Sequence, residues 1–183
     1  DRNDVLGGQL VKQTHMFFGS EKQHASVRGI DIKDILLDKI KDNPNIEVLT
    51  NSTVLGIYED GYVTIEKDNK DFFKIKPNAI IVATGASEKT LAFPNNDLPG
   101  IYGAGAAQTL MNVYGVKPGN KVLMVGAGNI GLIVSYQLMQ AGVEVVAIVD
   151  AAPKIGGYLV HASKVRRMGI PIYTSYTVKE ARG

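Results

Sequence analysis

The chain has 183 residues, 45% of them hydrophobic and 21% charged, and a formal charge of +2. That length holds one ordinary domain or two small ones, in a composition typical of folded globular proteins. Lysines scattered among acids exclude a basic stripe for nucleic acid, and the absence of cysteine removes disulfides, thiolate metal sites and dithiol redox pairs together.

The chain starts at Asp1 with no methionine, and no basic start with an apolar core follows. A secretion signal is therefore not expected, a cytoplasmic location is, and the chain is expected to be a piece of something longer. Residues 1–26 are irregular, with Gly7-Gly8 and Phe17-Phe18. Asp31 is expected to cap a helix carrying Ile32, Ile35, Leu36 and Ile40 at helical spacing and ending before Pro44. Residues 46–50 are expected to form a short strand. Strands over 54–58, 62–65 and 72–75, separated by Asp60-Gly61 and Asp68-Asn69-Lys70, predict a three-stranded β-meander. Residues 79–83 form a continuous apolar run, as expected of a parallel strand buried on both faces, and end in Thr84-Gly85. A loop with Pro94, Asn95, Asn96 and Pro99 leads to a helix over 104–114 and the linker Lys117-Pro118-Gly119-Asn120. Beyond it come a strand, a glycine turn, a helix and a strand through Val149, then a helix over 159–168 and a strand over 170–173. This alternation predicts an α/β fold with a Rossmann-like, doubly wound parallel sheet. His15, His24 and His161 lie too far apart in sequence to suggest zinc, and no metal site is expected.

The glycine turn carries the chemistry. Gly126-Ala127-Gly128-Asn129-Ile130-Gly131 follows a short apolar strand and opens a helix. Gly126 permits the tight turn, Gly128 lets backbone approach a pyrophosphate, and Gly131 lets the helix pack against the sheet. The helix N-terminus adds free N–H groups and a positive dipole end. Asp150 ends the next strand, where a carboxylate accepts hydrogen bonds from a ribose diol and repels a 2′-phosphate. NAD is thus expected over NADP, with Lys154 softening the preference. One rival is a tight turn without ligand. Another is a membrane span over 122–143, which has no charged side chain but is broken by its glycines and holds Asn129, Gln137 and Gln140. The near-copy Gly103-Ala104-Gly105-Ala106-Ala107-Gln108 lacks a preceding strand and the third glycine, and suits a packed helix start better than a phosphate cradle.

Gly7-Gly8-Gln9-Leu10, Ile80-Ile81-Val82-Ala83-Thr84-Gly85-Ala86 and the glycine motif, in that order, resemble the two-dinucleotide flavoproteins of the pyridine nucleotide-disulfide oxidoreductase type. Residues 19–30, 98–112 and 155–172 are most similar to the branch holding sarcosine oxidase alpha subunits, hydrogen cyanide synthase flavoproteins and dye-linked proline dehydrogenases. The resemblance implies a partial FAD-binding domain over 1–116 and a partial NAD(P)-binding domain over 117–183. It implies that Asp1 meets the adenosine ribose of FAD, that Gly8 and Gln9 pass near the flavin, that the Val54 backbone meets adenine, and that Thr84 and Gly85 approach FAD. Gly126, Gly128, Asn129, Ile130, Gly131 and Asp150 match the nicotinamide nucleotide site.

Departures accompany it. The family's first glycine turn, for the FAD pyrophosphate, and the later segment over the flavin are missing from this sequence. The expected function is hydride transfer between nicotinamide nucleotide and FAD in a longer parent, without an active-site disulfide. The alternatives are a nucleotide-binding accessory subunit of an amine or imino acid oxidase complex, or an inactive fragment. The implied partners are a nicotinamide nucleotide and a small-molecule substrate or partner oxidase subunit, with no nucleic acid and no membrane insertion. His15, beside Phe17 and Phe18, would lie near the flavin but is read as a packing or surface residue. His161 is read as structural, Arg166 and Arg167 as a solvated helix face, and no catalytic residue stands out.

Overall fold

The computed structural model describes residues 1–183. By internal contacts they divide into two compact units, one of Asp1–Val11 with Met16–Ala86 and one of Lys12–His15 with Ser87–Gly183. Within the second unit the helix over 104–112 packs on the helix of the glycine motif.

In the first unit, α1 spans Gly29–Asp38 with Arg28 as its N-cap. Asp31 is not the cap. It lies in the first turn, where its charge still favours the positive helix end. The meander forms as an antiparallel sheet of β1 (Ser52–Ile57), β2 (Val63–Lys67) and β3 (Asp71–Ile75), in that order. Its second turn, the three-residue loop Asp68-Asn69-Lys70, has Asp68 and Asn69 both at φ 53°, a left-handed backbone that Asp and Asn tolerate.

Two expected strands do not form. Residues 46–50 form no strand: the Asp1 amino group donates to Leu49 O at 2.7 Å, and just beyond the run Asn51 N–H donates to Asn3 O and Ser52 N–H to Asp1 O, both at 2.9 Å. Residues 79–83 are irregular, and Ile81 is 92% exposed. A strand needs a neighbouring backbone for its ladder, and no strand of the chain lies beside either run.

The second unit is a parallel sheet in the order β4 (Lys121–Val125), β5 (Glu144–Asp150), β6 (Ile172–Thr174). Its helices are α2 (Ala104–Asn112), α3 (Asn129–Gln140) and α4 (Leu159–Arg167). The apolar run over 122–143 is thus a strand and a helix, and no helix is long and apolar enough to cross a membrane. Helix α3, which carries no charged side chain, packs against α2, α4 and both flanking strands and is buried from Gly131 to Leu138. Leu132, Val134 and Leu138 join Met124, Val145, Ile148, Ala162 and Val165 in the core. The polar side chains of α3 are matched: Ser135 Oγ donates to Gly131 O at 2.7 Å, and Gln137 accepts from Gln108 Nε2 and donates to Thr14 Oγ1, both at 2.9 Å.

Candidate nucleotide-binding site

The site is built where β4 stops. Gly126 adopts φ 105°, a conformation that L side chains rarely reach, and its N–H donates to Val149 O at 2.7 Å. The turn therefore leaves β4 while still joined to β5. Gly131 is required for a different reason. A Cβ there would stand 2.0 Å from Gly126 O, so α3 can begin this close to the turn only without a side chain. Around Gly128 a Cβ would meet nothing within 4 Å, which leaves open space over the helix start.

Asp150 is part-buried and grips the same turn. One carboxylate oxygen accepts the Ala127 N–H at 2.6 Å and the other accepts the Ala152 N–H at 2.8 Å. Each oxygen keeps a further lone pair for a ligand hydroxyl. Gly128 is the N-cap of α3 and no side chain caps the helix. The first-turn N–H groups have no intrahelical acceptor by geometry, and they carry the positive end of the helix dipole. Donors beside open space, with a ribose-type acceptor next to them, fit the pyrophosphate and ribose of a dinucleotide.

A second glycine segment closes on the turn. Gly157 N–H donates to Ala127 O at 2.9 Å, and Tyr158 N–H donates to Asn129 Oδ1 at 2.8 Å. Neither contact follows from the sequence pattern; the Gly156-Gly157 doublet before α4 is its only trace. Nearby, Pro153, Lys154, Ile155, Arg166, Ile172 and Thr174 help to line a recess of about 490 Å³, which brings together two cations far apart in sequence.

The near-copy at Gly103 behaves as a packed helix start. Its Ala104 and Gly105 N–H groups donate to the Glu88 carboxylate at 2.9 and 3.0 Å, so an internal anion caps it.

The residues matched to FAD lie on different segments of the first unit. Asp1 accepts the Asn3 N–H on its own side chain at 2.9 Å, Gly8 and Gln9 lie in a 3₁₀ turn, Val54 is exposed on β1, and Thr84 and Gly85 lie in the irregular stretch. The Gly126 motif is the single glycine turn of the strand–turn–helix kind in the chain.

His15 and His161, distant in sequence, meet edge to face with ring centroids 6.1 Å apart. Burial, with the charges of His161 and Lys164 adding, pushes the His15 imidazole down to about 4. His161 is lowered by burial and then by Lys164. Lys164 stands over the Tyr136 ring at 3.7 Å, and burial raises the Tyr136 phenol to about 12. No group of three or more His, Asp or Glu side chains lies close enough to hold a metal ion.

A parallel βαβ unit with a glycine turn at the helix start and an acid at the second strand end defines a Rossmann-type protein. The chain belongs to the pyridine nucleotide-disulphide oxidoreductase family, whose sequence profile matches residues 2–183. It is 32% identical to sarcosine oxidase subunit alpha of Rhizobium meliloti (strain 1021), over 85% of this chain and 16% of that protein. It is 31% identical to hydrogen cyanide synthase subunit HcnB of Pseudomonas aeruginosa, over 58% of this chain and 23% of that one. The L-proline dehydrogenase of P. horikoshii superposes with a TM-score of 0.65 at 23% identity, covering all of this chain and 31% of its own. The chain thus spans about a sixth of the sarcosine oxidase subunit it matches, and the branch expected from the sequence is the branch found.

Proposed function

We propose that this chain is the nicotinamide nucleotide-binding part of an FAD- and NAD-dependent oxidoreductase. In the longer parent, hydride passes between nicotinamide and flavin, and the cofactors supply that chemistry. The observation that carries the reading is the pinned glycine turn, with Asp150 gripping Ala127 N–H and the bare N-terminus of α3 beside it. The chain's own residues bind and orient: the first-turn N–H groups hold the pyrophosphate, and Asp150 accepts the ribose hydroxyls. A carboxylate at that place disfavours a 2′-phosphate, so NAD is preferred over NADP. With no cysteine, this part contributes no dithiol to the reaction. Asp1, Gly8, Gln9, Val54, Thr84 and Gly85 contribute to an FAD site that other segments complete. The substrate class is a small amine or imino acid, in keeping with the names of the relatives.

A second reading is an accessory subunit that holds a nucleotide without turning it over. It is favoured by two relatives being named as subunits, of sarcosine oxidase and of hydrogen cyanide synthase. Titration calorimetry of the chain with NADH and NADPH tests the shared part: NADH should bind, and NADPH should bind more weakly. Heat from neither nucleotide refutes the site. Anaerobic mixing of the flavin-loaded parent with NADH then separates the readings, since flavin bleaching excludes the accessory role.

A further inference from the structure

We propose that Gly157 is a positioning residue for the nucleotide, acting through the carbonyl of Ala127 to aim the Gly128 N–H at the phosphates. The proposal rests on the nucleotide reading of the glycine turn. The two peptide groups flanking Ala127 are both fixed from outside the turn. The Ala127 N–H is held by Asp150, and the Ala127 carbonyl by the Gly157 N–H at 2.9 Å. The carbonyl of Ala127 and the N–H of Gly128 belong to one planar trans peptide and point in opposite directions. Gly157 holds that carbonyl on its own side, so the Gly128 N–H must face away from the 151–158 segment.

The close approach needs glycine at 157. A Cβ there would lie 2.5 Å from Leu132 Cδ1, 3.0 Å from Gly128 C and 3.1 Å from Asn129 N. The leucine methyl could swing, but the two backbone atoms belong to the turn itself. A side chain would push the segment off the turn and release the peptide. The neighbouring Gly156 shows no such need, since a Cβ there would meet nothing within 4 Å and its backbone is not left-handed. A second tie holds the segment, from the Tyr158 N–H to Asn129 Oδ1 at 2.8 Å. Asn129 is thus committed through its side chain to the clasp, while its backbone belongs to the helix start.

Comparing Gly157→Ala with Gly156→Ala in the 183-residue chain tests the assignment, by calorimetric titration with NADH and with ADP well below the melting temperature. Gly157→Ala should raise both Kd values about tenfold, the size of one misdirected charge-assisted hydrogen bond, with unchanged far-UV circular dichroism. Gly156→Ala should leave both values within twofold of wild type. A merely structural glycine would lower the melting temperature without changing Kd in the folded protein. An unchanged Kd for Gly157→Ala, or a loss for NADH that ADP does not share, overturns the proposal. If Gly157→Ala does not fold, Asn129→Ala decides, because it keeps the backbone donor and cuts the second tie. It should weaken both ligands about threefold, and unchanged affinities overturn the assignment. A wild-type chain that binds neither ligand overturns the nucleotide reading, and this assignment falls with it.

Discussion

Replacing Gly131 with alanine should separate α3 from the turn that feeds it. The new Cβ would lie 2.0 Å from Gly126 O, and ordinary contact begins at 3.4 Å, so helix and turn must part by well over an ångström. The turn has little room to move, because Gly126 sits at φ 105° with its N–H held by Val149. Overpacking of this kind costs about 1–3 kcal/mol, and the helix preference of alanine over glycine returns at most about 1 kcal/mol. A net loss of about 1–2 kcal/mol corresponds to a melting temperature lower by about 5–15 °C for a unit of this size. Thermal melts followed by circular dichroism read it directly. Gly128→Ala is the matched control: its Cβ meets nothing within 4 Å, so its melt should stay close to wild type while its NADH Kd rises at least tenfold. A Gly131→Ala chain melting within 2 °C of wild type would show that the close approach at Gly126 is not part of the fold.

Asp150→Ala should cost stability as well as affinity. It strips the acceptor from the N–H of Ala127, a buried residue, and an unsatisfied buried donor costs about 1–3 kcal/mol. Asp150→Asn keeps one acceptor oxygen and should recover part of the melting temperature, while NADH affinity stays reduced; equal melts for the two variants would refute the Ala127 contact. Stability should also depend on the paired histidines. An unfolded imidazole takes its proton near 6.5, whereas His15 in the fold resists until about 4. The unfolded state therefore binds more protons in that window, and the His15 contribution, complete above pH 6.5, is lost as pH falls towards 4. His15→Asn should flatten the melting temperature between those values, and a slope equal to wild type would refute the coupling. Finally, Gln108→Leu and Gln137→Leu should each destabilise by about 1–3 kcal/mol, because each leaves a buried amide without its partner. The double variant should cost less than the two added together, and strict additivity in chemical denaturation would contradict the bond.

Local chemistry made some elements legible and left others out of reach. The meander follows from Asp60-Gly61 and Asp68-Asn69, whose residues tolerate the left-handed backbone a hairpin needs, so its turns fell where expected. The glycine motif is legible because Gly126 and Gly131 each answer to a backbone constraint within a short stretch. Residues 79–83 show the limit. Their apolar run specifies a buried strand only in the presence of neighbouring strands, and no strand of this chain pairs with them. The Asp31 cap fails more narrowly, since the cap is Arg28, three residues earlier, and Asp31 falls in the first turn.

The amino-acid order by itself determined the glycine turn at Gly126 and the acid at Asp150, because turn geometry, helix entry and strand length are short-range matters. Only the tertiary structure decided what holds that turn in shape. Asp150 reaches Ala127 across 23 residues and Tyr158 reaches Asn129 across 29. His15 meets His161, and Glu88 fills the false cradle at Gly103. Such contacts depend on where β5, α4 and the 12–15 segment pack against α2 and α3. No local pattern encodes them, because packing in three dimensions brings together groups that spacing along the chain keeps apart.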